Sequence, residues 1–165
     1  MLQSILVTVM LWFGQHPAAQ TGVIAGTVTV PVDHPLSQPL QVILLSPRYA
    51  DLWDTDMQKR LDMYWERYKP AFAQNKEYFL EISRKAQIES LDFVVARMRR
   101  DAAGNIGEYV KQASADGKFE FKAVPFGAYK LFAIGKAQNT DLVWQESVDV
   151  HTTLPQFLEL KKPLP

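Results

Sequence analysis

The spacing of apolar and polar positions divides the chain into a short apolar start and three longer blocks. In the first block, Ile24, Val28 and Val30 alternate with smaller or polar residues, the pattern of a strand with one buried face. Gly22 and Gly26 fall inside that strand, where glycine marks a bulge or a close approach of backbone. Pro31, Pro35 and Pro39 then make the next stretch a loop, because proline cannot donate to a central ladder. Strand pattern resumes at 40–45, with Leu40, Val42 and Leu44 on one face.

The period changes over residues 47–103. Charges of both signs crowd in, and no glycine occurs between Gly26 and Gly104. Ser46 followed by Pro47 reads as a helix N-cap and first helical position. Asp51, Asp54 and Asp56 fall early and Arg67 and Lys69 late, as a helix dipole favours. Leu61, Tyr64, Trp65 and Tyr68 recur at three-four spacing, and Pro70 is expected to kink or end the helix. A second stripe runs through Phe79, Ile82, Ala86, Leu91, Val94 or Val95, and Met98, with Glu81 and Lys85 paired one turn apart. Arg97, Arg99 and Arg100 crowd its end, and Gly104 suits the stop. The pattern predicts an antiparallel helical hairpin whose break lies at Pro70 or at Asn75.

Residues 105–165 return to strand. The segments 108–115 and 118–124 flank Asp116-Gly117, the strongest short signal for a hairpin turn. Lys118, Glu120 and Lys122 share one face of the second segment, and Phe119 and Phe121 share the other. Pro125-Phe126-Gly127 makes a corner, after which Tyr129, Leu131 and Ala133 line one face. Further strands are expected at 142–150 and 156–161. Six or seven short strands at regular spacing predict an antiparallel β-sandwich, with the helical hairpin inserted between its second and third strands.

Ile5 to Phe13 is an apolar run too short to span a bilayer as a helix but long enough for the core of a signal peptide. Gly14 and Pro17 break it, and Ala18-Ala19-Gln20 offers small residues for cleavage. Residues 1–20 lack lysine and arginine, so the amino terminus supplies the positive charge. The segment 1–20 reads as a signal peptide. The mature chain would be a single domain over 21–165, secreted or periplasmic in a bacterium and without a membrane span after cleavage. Lys+Arg 18 against Asp+Glu 18 leaves zero net charge, which disfavours a broad nucleic-acid surface. The absence of cysteine excludes thiol nucleophiles, cysteine-zinc sites, cysteine-ligated iron–sulfur clusters and a lipoprotein anchor.

Few residues offer chemistry. His16, His34 and His151 are scattered, and their spacing implies no metal or catalytic site. Asp51, Asp54 and Asp56 lack the central glycine and closing glutamate of a calcium loop. No nucleophile elbow or phosphate-cradling loop is present. No catalytic residue, metal or cofactor is therefore expected. The aromatic residues carry more weight. Trp53, Tyr64, Trp65 and Tyr68 lie on the first helix and Trp144 on a late strand. They serve either as core or as a candidate binding surface for a protein or a sugar face.

Four segments together resemble a known family: Gly22-Val-Ile-Ala-Gly26, Pro39–Leu44, Ala115-Asp-Gly-Lys-Phe-Glu-Phe121 and Val124-Pro-Phe-Gly-Ala-Tyr-Lys-Leu131. The pattern is similar to the carboxypeptidase regulatory-like domain, a transthyretin-like (prealbumin-type) β-sandwich grouped with carbohydrate-binding-like folds. In this resemblance Gly26, Asp116, Gly117, Phe119, Phe121, Pro125, Gly127 and Tyr129 are the structural motif. It covers 22–46 and 106–161, so the helical block is an insertion. Enzymes on related sandwiches carry a Tyr-Arg-Gly-Ser tail or a His-x-His pattern, and this chain has neither. The resemblance implies an exported, non-catalytic accessory or binding module acting through protein–protein contact. The alternative is a carbohydrate-binding module using exposed Trp and Tyr. A third reading, a small enzyme, needs His34 and His151 to converge with a carboxylate or tyrosine.

Overall fold

The computed structural model describes residues 19–33, 35–101, 105–138 and 140–164. The signal segment expected at 1–20 lies almost wholly outside the described residues, as do His16, His34 and Gly104. In chain order the elements are β1 (Thr21–Val28), β2 (Gln41–Leu45), α1 (Pro47–Gln74), α2 (Lys76–Asp101), a 3-10 turn (Asn105–Glu108), β3 (Val110–Gln112), β4 (Lys118–Pro125), β5 (Gly127–Ala137), β6 (Thr140–Val150) and β7 (Pro155–Leu160). The strands form two sheets, ordered β4-β1-β7 and β3-β2-β5-β6. The chain is a β-sandwich with a helical hairpin inserted between its second and third strands. One pairing departs from the antiparallel expectation: β7 runs parallel to β1, from Val23 opposite Pro155 to Val28 opposite Leu160.

Glycine and turn chemistry set the strand ends. The register of β1 against β4 shifts between Gly22 and Ile24, the bulge the sequence suggested. At Gly26 a side chain would collide with the Leu158 carbonyl of β7 and the Phe119 ring, so only glycine allows that approach. Asp116-Gly117 does turn the chain, with Gly117 at φ +78°. It does not join a ladder as predicted, because β3 pairs with β2 and β4 pairs with β1 in the other sheet. The turn is closed locally: the Lys118 amide donates to Ser114 Oγ at 3.0 Å and the Gly117 amide to the Ser114 carbonyl at 2.8 Å. The Pro125-Phe126-Gly127 corner likewise crosses between sheets, and the Tyr129 hydroxyl ties it down by donating to the Pro125 carbonyl at 2.8 Å.

Two apolar layers result. Between the sheets lie Ile24, Val42, Leu44, Phe119, Phe121, Tyr129, Leu131 and Trp144, among others. The second layer lies on the outer face of the four-stranded sheet. There Ile43, Leu45, Phe132 and Val143 are buried under Trp53 of α1 and Leu91, Val94, Val95 and Met98 of α2. Leu164 also packs against this layer, its amide donating to the Val143 carbonyl at 2.6 Å. The sequence assigned β2 one buried face; both of its faces are buried, as an apolar run without alternation requires.

The hairpin forms as expected, but its break is at Asn75, not Pro70. Helix α1 passes through Pro70 and ends at Gln74. The proline falls in the last turns, where Phe72 packs against Tyr68, Tyr78 and Phe79 and holds the chain helical beyond it. Asn75 is the single residue between the helices. Its amide donates to the Ala71 carbonyl at 3.0 Å, closing α1. Its Oδ1 accepts from the amides of Glu77 at 2.9 Å and Tyr78 at 3.3 Å, capping α2. Ser46 precedes α1 but makes no side-chain cap bond, and no acidic residue lies in the first turn. Arg67 and Lys69 are not in the last turn either, since the helix runs on past Pro70. The helix does start at Pro47 as the sequence indicated, but Asp51 falls just past its first turn and its end lies beyond Arg67 and Lys69, so the dipole account of those charges fails.

The base of the hairpin is held by Trp53 and Asp101. The Trp53 ring packs on Phe132 at 4.8 Å between centroids, with the Lys130 ammonium 4.9 Å from the Trp53 centroid. Lys130 also pairs with Asp54. Asp101 accepts from Arg48 at 3.2 Å, the Tyr49 hydroxyl at 3.1 Å and Arg97 at 3.3 Å. Between the helices, the fully buried Ala86 and Ser90 permit close approach.

Two outcomes follow from these contacts. Trp53→Ala removes the largest side chain clamping the hairpin to the sheet and is expected to cost roughly 3–5 kcal/mol in denaturant unfolding. The hydrogen bonds from Lys118 and Ser114 lower the Asp116 carboxyl pKa to about 2. A lowered folded-state value stabilises above the ordinary carboxylate range, and that contribution is lost as pH falls through about 2. A carboxyl NMR titration is expected to show Asp116 protonating last among the exposed aspartates, and Ser114→Ala to move it upward.

Candidate docking surface

The five aromatic residues singled out in the sequence do not form one surface. Trp53 and Trp144 are 2% and 0% exposed, one at the contact of the hairpin with the sheet and one between the sheets. Tyr64 is buried against α2, and its hydroxyl donates to Glu89 at 2.6 Å. That bond and burial raise the Tyr64 pKa. Tyr68 is half-buried in the same tip cluster as Tyr64, Phe72, Ile82 and Ala86. Trp65 alone of the five is exposed, at 44%.

The cause is geometric. Helix α1 has 28 residues, about 42 Å of helix, while its contact with the sheet centres on Ala50 and Trp53. Past that point, among the described residues, the buried side chains of α1 pack against α2. Tyr64 and Phe72 turn toward α2, and Trp65 points out beside them. Phe79 was expected in the buried stripe of α2, but it lies off that stripe at 41% exposure, with Leu80 also exposed. Three rings gather at the tip: Trp65 stacks on Phe72 at 5.7 Å, and Phe79 meets Phe72 edge-on at 5.3 Å.

An open hollow of about 560 Å³ lies among Trp65, Phe72, Phe79, Leu80 and the stems of Lys69 and Lys76. Its floor is apolar. The Lys69 ammonium stands 6.0 Å from the Trp65 centroid. Among the described residues neither Lys69 nor Lys76 has a carboxylate within ion-pair distance, while Arg60, Lys85 and Lys130 nearer the sheet are paired. The opposite flank is internally neutralised: Arg60 bridges Asp56 at 2.6 Å and Glu89 at 3.0 Å. Trp65 and Phe79 lie at 90° to one another, so these two exposed rings do not form one flat platform for a sugar ring. The sequence singled out Trp65 but missed Phe79, Leu80 and the two lysines. The available signal was the density of large apolar residues and lysine on either side of Asn75.

His151 is exposed on the sandwich, its Nδ1 3.0 Å from the Asp149 carbonyl oxygen. Among the described residues no three histidine, aspartate or glutamate side chains gather as metal ligands, and no helix is long and apolar enough to cross a membrane.

No family model matches the chain, and no curated protein matches it. Among solved structures it is similar to a candidate carbohydrate-binding protein from Pseudomonas aeruginosa, at 13% identity and a TM-score of 0.36, covering 88% of this chain and 92% of that one. It is also similar to the pilus backbone protein RrgB of Streptococcus pneumoniae, at 15% identity and a TM-score of 0.32 over 86% of this chain. The chain spans 41% of that protein's length in this structure and 30% in a full-length form.

Removing the exposed rings separates surface from core. Trp65→Ala with Phe79→Ala is expected to cost about 1–2 kcal/mol of stability, well below Trp53→Ala, since both rings are already partly in water. The same pair is expected to abolish binding of an anionic apolar dye (ANS) to the folded chain, read as dye emission.

Proposed function

We propose that this chain is an exported, non-catalytic docking module in which the sandwich holds a helical hairpin and the hairpin tip meets a partner protein. The apolar hollow at the tip carries this reading. A folded chain keeps large rings half in water at a cost, and such rings clustered in a concavity mark an interaction site. The resemblance of 115–121 and 124–131 to the carboxypeptidase regulatory-like pattern supports it, because that family implies an accessory role. The apolar run at 5–13 followed by Ala18-Ala19-Gln20 supports export, with a mature chain beginning near Thr21.

A photo-cross-linking residue placed at position 79, in the cells that make the protein, is expected to give one discrete protein adduct. The same residue at position 157, an exposed phenylalanine on the three-stranded sheet, is expected to give none. An adduct at 157 and none at 79 would move the working surface to the sheet and defeat the proposal. A polysaccharide-induced change in tryptophan emission that Trp65→Phe abolishes would favour the carbohydrate reading instead. Amino-terminal sequencing of the chain recovered outside the cytoplasm is expected to begin near Thr21.

A further inference from the structure

We propose that the tip hollow takes a large apolar side chain from an acidic amphipathic segment of the partner, with carboxylates beside that anchor pairing with Lys69 and Lys76. This rests on the docking reading above and adds the chemistry of the partner. The walls are Trp65, Phe72, Phe79 and Leu80, and the charged groups at the rim are both cations. Neither cation has a carboxylate within ion-pair distance among the described residues, and the lining of the hollow holds no carboxylate. Both ammoniums are exposed, and an apolar anchor seated on the floor would displace water beside them. A carboxylate brought there gains more than it would at a bare surface. An apolar anchor with acidic neighbours one helical turn away satisfies floor and rim together, as in helix-in-groove recognition.

Two other occupants fit less well. A second copy docking hollow to hollow about a two-fold axis would bring four lysines into one interface with no carboxylate in either lining to pair them. An anionic bilayer is best met by a convex apolar wedge on a face of one sign. Here the apolar surface is hollowed. The helix ends around it also mix Arg67, Lys69 and Lys76 with Glu66, Glu77 and Glu81.

The test is a selection from an unbiased displayed peptide library on the full chain, with counter-selection on Trp65→Ala. Enriched peptides are expected to carry a large apolar residue with Asp or Glu within one helical turn. A synthetic peptide from that pool is expected to bind about tenfold more weakly to the Lys69→Glu, Lys76→Glu double variant, read by anisotropy. Trp65→Ala is expected to weaken it by more than tenfold. Both lysines are exposed, so thermal unfolding of the double variant is expected to match the parent. Enrichment of basic or neutral flanks, no enrichment, or binding that ignores the charge reversal overturns the proposal. In each of those cases an adduct at position 79 leaves the docking reading standing, and its absence removes both. Trp65-dependent binding to phosphatidylglycerol–phosphatidylcholine vesicles, with no peptide enriched, would replace the peptide by a lipid surface.

Discussion

Ile43, Leu45, Phe132 and Val143 project from the four-stranded sheet away from the inter-sheet core, and the rest of the structure depends on keeping water from them. Each such side chain gains roughly 1.5–3 kcal/mol on burial. Four of them together rival the net stability of a whole domain, about 5–15 kcal/mol. The helical insertion is therefore not ballast on a finished sandwich. Its base supplies the other half of a core, with Trp53 seated on Phe132 and the α2 stripe from Leu91 to Met98 beside it.

That constraint explains the division along the hairpin. The base is sequestered by the sheet and by the bonds converging on Asp101. The tip lies beyond the sheet's reach and has two helical faces to bury with one partner helix. Tyr64, Phe72, Ile82 and Ala86 fill the shared face. Trp65, Phe79 and Leu80 are left over, and Asn75 reverses the chain in one residue to hold them beside each other. Stability and exposure thus come from one geometry: helices long enough to be anchored on the sheet at one end and, among the described residues, to pack on each other alone at the other.

Much of the fold was legible in the sequence because it is written in local pattern. The alternation around Ile24 and Phe119–Phe121, the Asp116-Gly117 turn and the three-four spacing of both helices each act over a few residues. The misses share a cause. Whether 108–115 and 118–124 form a ladder or cross between sheets depends on which partner strand wins, and that is non-local. Pro70 reads as a breaker in isolation, yet Phe72 and its neighbours hold the helix through it. Trp53 and Trp65 have the same chemistry and lie on the same helix. Only the distance from the sheet separates a clamp from an exposed ring. The consecutive apolar residues of 42–45 carried a signal of burial on both faces, which the reading of Leu40, Val42 and Leu44 as one buried face passes over.

The most direct test replaces residues 47–103 with a short flexible linker and follows the product by sedimentation and denaturant unfolding. The account predicts that the shortened chain loses cooperative unfolding or self-associates through its uncovered sheet. Threonine at positions 43, 45, 132 and 143 is then expected to restore a monomer. A shortened chain that stays monomeric and unfolds with the parent's stability would contradict the claim that the hairpin completes the core.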